Sequence, residues 1–214
     1  AWAAAFLLRL CEGDAGRART VGAAIGFDLQ SRSFARDSLV IAGTAGEVAA
    51  ALTPHFPDLS NAQLLEMLND EAGRAPQAEA VPLVPFLGAL RARGLALGVA
   101  TNDAEAPARS HLDAAGVTPL FDFIAGFDSG HGGKPAPGQL LAFCAAMGLS
   151  ADAVIMVGDS LHDLRAGRAA GMRCIAVLTG MAEAEELSAH ADVVLPDIGH
   201  IPGWLDQMQT VPAR

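Results

Sequence analysis

A short apolar segment, residues 154–157, stops at Gly158 and is followed by two aspartates four residues apart. An apolar run of this length that ends at a glycine is typical of a strand buried in a parallel sheet. Asp159 would then lie at the carboxyl end of the strand, where parallel α/β sheets bind their ligands. Asp163 follows one helical turn later, and residues i and i+4 share a helix face. We therefore predict that both carboxylates point to one spot, where they suit a hard cation such as Mg²⁺.

The same residues also allow a purely structural interpretation. Asp159 or Ser160 is a suitable cap for the amino end of a helix, and Asp163 would then be a solvated acid one turn on. Polar residues elsewhere in the chain are needed to distinguish between the two interpretations.

Strand and helix patterns alternate along the second part of the chain. Helical segments, several of which end at glycines, lie between most of the apolar segments 95–100, 121–125, 154–157, 174–177 and 193–195. Alternation of this kind predicts an α/β fold: a Rossmann-like core with a parallel sheet and helices on both of its faces. We assign this core to residues 81–214.

The first part of the chain has a different pattern. Short helical segments dominate it, and two of them begin with capping-box spacing, Thr44 with Glu47 and Ser60 with Gln63. We predict that residues 1–80 form a small α-helical module with its own core, inserted near the N-terminus of the α/β core.

Charge and cysteine content exclude several functions. The net charge of −10 argues against binding to a nucleic-acid backbone. The sequence contains no uninterrupted apolar stretch of the roughly 18 residues that a membrane span needs. Its 3 cysteines form no disulfide framework or metal-binding motif, which favours the reducing cytoplasm. We therefore expect a cytoplasmic protein without nucleic-acid or membrane partners, either a monomer or a homodimer.

Further polar groups follow the other predicted strands. Thr101 and Asn102 come directly after the segment 95–100, and Lys134 follows a glycine-rich loop after the segment 121–125. A hydroxyl, an amide, an ammonium and two carboxylates around one crevice can neutralise a phosphoryl group and hold its metal. This combination favours a ligand site over the purely structural interpretation.

The order of these motifs resembles that of the haloacid dehalogenase-like (HAD) hydrolase superfamily. Residues 101–103 are similar to its second motif, Lys134 in Gly-Lys-Pro-Ala-Pro to its third, and residues 158–163 to its fourth. Within the superfamily the chain most resembles phosphoglycolate phosphatases and β-phosphoglucomutases. Those enzymes carry a helical cap between the first and second motifs, in the position of the predicted module 1–80.

The resemblance implies a role for each of these residues. Thr101 would hydrogen-bond the transferring phosphoryl group, Asn102 would help to orient it, and Lys134 would balance its charge. Asp159 would bind Mg²⁺, and Asp163 would support either the metal or Lys134. The implied activity is Mg²⁺-dependent hydrolysis of a small phosphorylated metabolite, such as phosphoglycolate, through an aspartyl-phosphate. A sugar-phosphate mutase is the alternative within the same family.

One motif of the family is absent from this sequence. Its first motif, Asp-x-Asp-x-Thr, provides the nucleophile and the general acid. Residues 27–30 resemble it only superficially, because a second aspartate and the threonine are missing after Asp28. The motif ends the central strand of the family's sheet, and family spacing places it just before Ala1. We therefore expect the first strand of the core to lie upstream of residue 1.

Two other functional classes remain as alternatives. Residues 158–161 spell the GDSL signature of a serine-esterase family, with Ser160 as nucleophile and His200 of an Asp-x-x-His motif as base. That interpretation gives Thr101 and Lys134 no role, and esterases of this type carry their serine near the start of the domain. The third class is a non-catalytic binding protein that kept the fold, which only the missing first motif supports.

Overall fold

The computed structural model describes residues 2–35 and 38–210. The helices in this part of the chain are α1 (Trp2–Leu10), α2 (Ala15–Ala24), α3 (Leu39–Ala42), α4 (Ala45–Leu52), α5 (Asn61–Gly73), α6 (Leu83–Ala92), α7 (Glu105–Ala114), α8 (Gly138–Met147), α9 (Leu161–Ala170), α10 (Ala184–Ser188) and α11 (Ile201–Thr210). The strands are β1 (Phe27–Asp28), β2 (Ser33–Phe34), β3 (Gly98–Ala100), β4 (Phe123–Ala125), β5 (Ile155–Gly158), β6 (Arg173–Val177) and β7 (Val193–Leu195).

The N-terminal helices α1 to α5 surround an apolar core of their own. The fully buried leucines of this core come from three different helices: Leu7, Leu52 and Leu64. Both predicted capping boxes are present, at Thr44 before α4 and at Ser60 before α5. Each cap satisfies backbone groups that the first helical turn leaves unpaired, which explains why these helices begin where the sequence indicates.

A two-stranded antiparallel ribbon interrupts this helical region. Residues 27–30 were assigned to the helical module, but Phe27 and Asp28 form β1 and pair with Phe34 and Ser33 of β2. The carboxylate of Asp28 accepts hydrogen bonds from the N–H of Gln30 and the hydroxyl of Ser31. An aspartate that binds its own following backbone favours a turn over a helix, which accounts for the ribbon within this mostly helical region.

The second part of the chain has the predicted α/β architecture. Strands β5, β6 and β7 form a parallel sheet in that order, and β3 pairs in parallel with β4. Cys174 and Ala176 of β6 pack into a cluster with residues of α8 and α9, whereas Ile175 and Val177 pack against α11 on the opposite face. The prediction of a parallel sheet covered on both faces is thereby confirmed.

Two element boundaries differ from the sequence-based ones. The strand predicted from residue 95 begins at Gly98, after Leu97 donates its N–H to the carboxylate of Asp122. Helix α9 begins at Leu161 because Ser160 is its N-cap. Asp159 therefore precedes the helix, and the expectation that it shares a helix face with Asp163 was wrong.

The parallel sheet is divided into two pieces. Within the residues that the structure describes, β3 and β5 do not pair with each other. Strand β6 is buried from Cys174 to Val177, but three of the four residues of its neighbour β5 are only partly buried. Among the described residues each of β3 and β5 is thus paired along one edge, β3 with β4 and β5 with β6.

No helix in the described ranges is long and apolar enough to cross a bilayer.

Candidate active site

The carboxyl ends of β3 and β5 open into a cavity of about 440 Å³. Its lining includes the polar residues predicted from the sequence, which are Thr101, Asn102, Lys134, Asp159 and Asp163. Apolar residues such as Val40, Ile41, Met181 and Ala182 line it as well, together with the acids Asp103 and Glu186. The structure therefore brings all five predicted site residues to one cavity, which residues of the N-terminal helical region also line.

The ammonium of Lys134 lies between the two pieces of the sheet. Its Nζ donates to the carbonyl oxygen of Ala100 at the end of β3, at 2.7 Å, and to Oδ1 of Asp163 in α9, at 2.6 Å. The side chains of Lys134 and Asp163 are 12% and 10% exposed. An ammonium has three donors, and two of them are used in these contacts. A buried cation held in this way can present its remaining donor to an anion in the cavity.

Asp163 is a buried structural acid and not a solvated one. Its Oδ2 accepts hydrogen bonds from the backbone N–H of Ser160, at 3.1 Å, and from the Ser160 hydroxyl, at 2.7 Å. Oδ1 is the partner of Lys134. Both carboxylate oxygens are therefore engaged, one in capping α9 and the other in holding the ammonium.

Asp159 is another acid that lines the cavity. Burial raises the pKa of its carboxyl above the ordinary value, and the neighbouring Asp163 carboxylate raises it further. Lys134 and a hydrogen bond from Thr179 act in the opposite direction, but they do not compensate for these two effects. The carboxylate form of Asp159 is thus destabilised by its surroundings, and a cation next to it would relieve this repulsion.

Two glycines leave room for the side chains of Asp163 and Asp159. A Cβ on Gly158 would lie 2.2 Å from the Cβ of Asp163, and a Cβ on Gly180 would lie 2.7 Å from the Cγ of Asp159. Any side chain at either position would have to displace an acid of the site. The glycine that stops the apolar segment in the sequence is therefore required by the packing of α9 against the end of β5.

Thr101 lies directly beyond β3. Its N–H donates to the carbonyl oxygen of Ala125 and extends the β3–β4 pairing by one residue. Its hydroxyl accepts a hydrogen bond from the N–H of Asp103 at 3.0 Å. The backbone on either side of Thr101 is thus fixed, and its hydroxyl lines the cavity.

Two amide side chains connect the end of β3 to the loop that carries Lys134. Asn102 forms hydrogen bonds with both the backbone N–H and the carbonyl oxygen of Lys134. Gln139, at the start of α8, donates to the carbonyl oxygens of Thr101 and Gly132. Sequence analysis missed Gln139, since a glutamine near the start of a helix has no distinguishing pattern. Its complete burial is visible only in the structure.

The residues of the esterase interpretation are not brought together. The hydroxyl of Ser160 is bonded to Asp163. His200 lies beyond β7, where its Nδ1 is 3.0 Å from Oδ1 of Asp197, and it does not line the cavity. A serine nucleophile needs a base within hydrogen-bond reach, so this geometry does not support the GDSL interpretation.

A parallel α/β core with buried acids and an ammonium at its strand ends defines the class: α/β proteins that hold an anionic ligand at the carboxyl edge of the sheet. The chain belongs to the haloacid dehalogenase-like hydrolase family, whose sequence model matches residues 21–171. The resemblance inferred from the motifs is thereby confirmed.

Individual relatives agree with this assignment. A phosphoglycolate phosphatase of Rhodospirillum rubrum is 38% identical over 121 residues, which cover 56% of this chain and 50% of that protein. Structures of a predicted phosphoglycolate phosphatase from Haemophilus somnus and of CbbY from Rhodobacter sphaeroides in complex with phosphate share the fold, with TM-scores of 0.68 and 0.65. Their sequences are 20% and 23% identical, over 89% and 83% of both chains respectively. The chain spans about half the length of the R. rubrum protein.

Proposed function

We propose that this chain belongs to a cytoplasmic, Mg²⁺-dependent phosphatase that hydrolyses a small phosphorylated metabolite, such as phosphoglycolate. The observation that carries the proposal is the ammonium of Lys134 held by Asp163 in a cavity that Asp159 and Thr101 also line. The similarity to the R. rubrum phosphoglycolate phosphatase supports the substrate class. We do not expect nucleic-acid or membrane partners, and both a monomer and a homodimer are compatible with the site.

In this proposal each side chain acts on one part of a phosphate ester. The hydroxyl of Thr101 donates to a phosphoryl oxygen, and the ammonium of Lys134 neutralises negative charge that is present on the phosphoryl group and its attacker. Positioned donors of this kind stabilise charge that develops in the transition state. Asp163 holds Lys134 in place through the contact at 2.6 Å.

The donor set of the cavity wall fits Mg²⁺. Magnesium takes one or two protein carboxylates together with waters and substrate phosphate oxygens. Among the described residues no group of three or more His, Cys, Asp or Glu side chains that could hold a metal ion occurs. Asp159 would hold the ion. Asp163 would support the site through its contacts with Lys134 and Ser160. When bound, the ion supplies positive charge to the phosphoryl oxygens.

We place the nucleophile on a further parallel strand between β3 and β5. Among the described residues β3 pairs only with β4, and β5 only with β6, so each has one edge with which another strand could pair. Unpaired backbone groups inside a sheet cost on the order of 1–3 kcal/mol each. A parallel strand in this position would end beside Lys134, Thr101 and Asp159. An aspartate at its carboxyl end would attack phosphorus and form an aspartyl-phosphate as the bond to the ester oxygen breaks, and the leaving oxygen would take a proton from the general acid of the family's first motif. Water would then hydrolyse the intermediate.

We further propose that residues 1–80 act as a cap over a core of residues 81–214. Val40, Ile41 and Gly43 of the N-terminal part line the cavity together with the core residues. A cap in this position would exclude water during transfer and admit it for the hydrolytic step. A sugar-phosphate mutase would use the same residues but would return the phosphoryl group to a second sugar hydroxyl.

The test is hydrolysis of p-nitrophenyl phosphate by the full-length natural protein, with Mg²⁺ and then with EDTA. We expect turnover that needs Mg²⁺, and a screen of small phosphate esters would then identify the preferred leaving group. Cleavage of p-nitrophenyl acetate instead would support the esterase interpretation. Inactivity towards both compounds and towards the ester screen would favour a non-catalytic binding protein.

Replacing Ser160 with alanine separates the phosphatase from the esterase. The variant loses the N-cap of α9, so we expect unfolding to become easier by about 1 kcal/mol. We expect kcat/KM for p-nitrophenyl phosphate to fall by less than about tenfold, because Asp163 keeps its contact with Lys134. Loss of a true nucleophile would lower kcat by about 10⁶-fold. Thermal unfolding and steady-state kinetics of the same preparation distinguish these outcomes.

A further inference from the structure

The side-chain amide of Asn102 forms hydrogen bonds with the backbone of one residue through both its oxygen and its nitrogen. Its Oδ1 accepts the N–H of Lys134 at 2.7 Å, and its Nδ2 donates to the carbonyl oxygen of Lys134 at 2.9 Å. These two hydrogen bonds connect the end of β3 to the loop after β4 in the same way that backbone groups pair between neighbouring strands. One N–H of Nδ2 and one lone pair of Oδ1 thus fix the backbone of Lys134 on both sides.

The amide of Gln139 makes a second connection between the same two segments. Its Nε2 donates to the carbonyl oxygen of Thr101 and to that of Gly132, at 2.9 Å each. The side chain is completely buried, and its Oε1 has no hydrogen-bond partner in the described structure. A buried acceptor without a partner is unfavourable, so the chain retains this glutamine despite an energetic disadvantage. The two bonds from Nε2 are the benefit visible in the structure.

We infer that Asn102 and Gln139 are positioning residues that fix the backbone around Lys134 and thereby place its ammonium in the cavity. The inference rests on the proposed phosphatase function and goes beyond it, because it assigns Asn102 an indirect role and adds Gln139 to the site. Four hydrogen bonds from the two amides join residues 101–102 to residues 132–134. The brace formed by the two amides, Asn102 and Gln139, acts where β3 has no neighbouring strand other than β4 among the described residues.

The position of the Lys134 ammonium is important for the proposed catalysis because its two contacts are short and come from different structural elements. Nζ must reach the Ala100 carbonyl and the Asp163 carboxylate together, at 2.7 Å and 2.6 Å. A misplacement of about 1 Å at such a site lowers catalysis by about 10²-fold. A loop rich in glycine would not hold this position by itself, since glycine adopts many backbone conformations.

A double-mutant cycle in the full-length protein tests whether the brace acts through Lys134. We expect Asn102→Ala and Gln139→Met each to lower kcat/KM by about 10- to 100-fold, the usual effect of removing a supporting contact. In a Lys134→Ala background the same changes should lower kcat/KM by less than about threefold, because the group they position is gone. Equal losses in both backgrounds would show that the amides act on the substrate directly and would overturn the inference.

Hydrogen exchange provides a readout that does not depend on activity. The N–H of Lys134 has Asn102 Oδ1 as its acceptor, so Asn102→Ala should accelerate exchange of this amide by about tenfold. Asn61→Ala removes an amide on α5, whose Nδ2 contacts Thr53 at 3.3 Å, and should leave Lys134 exchange unchanged. Unchanged exchange in Asn102→Ala would overturn the brace. An inactive natural protein with accelerated exchange in the variant would instead overturn the phosphatase proposal and keep the brace.

Discussion

Replacing Lys134 with alanine is expected to lower kcat/KM for a phosphate ester by about 10²- to 10³-fold, the effect of removing one preorganised charge-stabilising group. The ammonium is the cation that both pieces of the sheet hold in the cavity, through Ala100 and Asp163. Steady-state kinetics with p-nitrophenyl phosphate measure the loss. Normal turnover in this variant would contradict the proposed site.

The same change should destabilise the fold. Asp163 is buried, and removal of its cation leaves a charge without its main partner, which costs about 3 kcal/mol. The double variant Lys134→Ala/Asp163→Asn removes that charge as well. We expect it to recover much of the unfolding temperature but none of the activity. A double variant that is as unstable as the single one would show that the ion pair is not the origin of the effect.

Replacing Asp159 with asparagine is expected to abolish Mg²⁺-dependent turnover, with a loss of about 10³-fold or more, because the proposed metal ligand is removed. The same substitution should increase the stability of the metal-free protein, although it lowers the activity. Burial, and then the Asp163 carboxylate, raise the pKa of Asp159. The folded protein therefore binds this proton more tightly than the unfolded chain does.

The sign of the pH dependence follows from that shift. Above the raised folded-state pKa the ionised carboxylate destabilises the fold. This destabilisation decreases as the pH falls through the folded pKa and is absent below the ordinary aspartate pKa. At pH 7 in EDTA the Asp159→Asn variant should thus unfold at a higher temperature than the natural protein, and the difference should vanish in acid.

Metal and control measurements complete this prediction. Mg²⁺ should raise the unfolding temperature of the natural protein and not that of Asp159→Asn, because ligand binding stabilises only a state that holds the ligand. Asp152→Asn removes an exposed acid shortly before β5 and should leave both the activity and the Mg²⁺ response unchanged. Equal stabilisation of Asp159→Asn by Mg²⁺ would place the metal elsewhere.

Much of the fold was predictable because its signals are local. The apolar segment before Gly158 became β5, and the capping boxes at Thr44 and Ser60 start helices in the structure. The sequence was silent where a local signal was weak. The short ribbon at residues 27–34 was not predicted, although the carboxylate of Asp28 stabilises the turn next to it.

The site was predictable as a set of residues and not as a set of contacts. Polar residues after strand segments correctly indicated one cavity. The argument that Asp159 and Asp163 share a helix face was wrong, since Ser160 is the N-cap and Asp159 lies before the helix. Gln139 was missed because its burial depends on segments 7 and 38 residues away, at Gly132 and Thr101.

The sequence by itself determined the family, the α/β class and the residues at the ends of the strands, because apolar periodicity, glycine stops and capping residues act over a few neighbouring positions. Only the tertiary structure decided which groups these residues bind. Lys134 meets Asp163 across 29 residues and Ala100 across 34. Such pairings depend on how separate strands and helices pack, and hydrogen-bond geometry at 2.6–2.7 Å is settled only when that packing is complete.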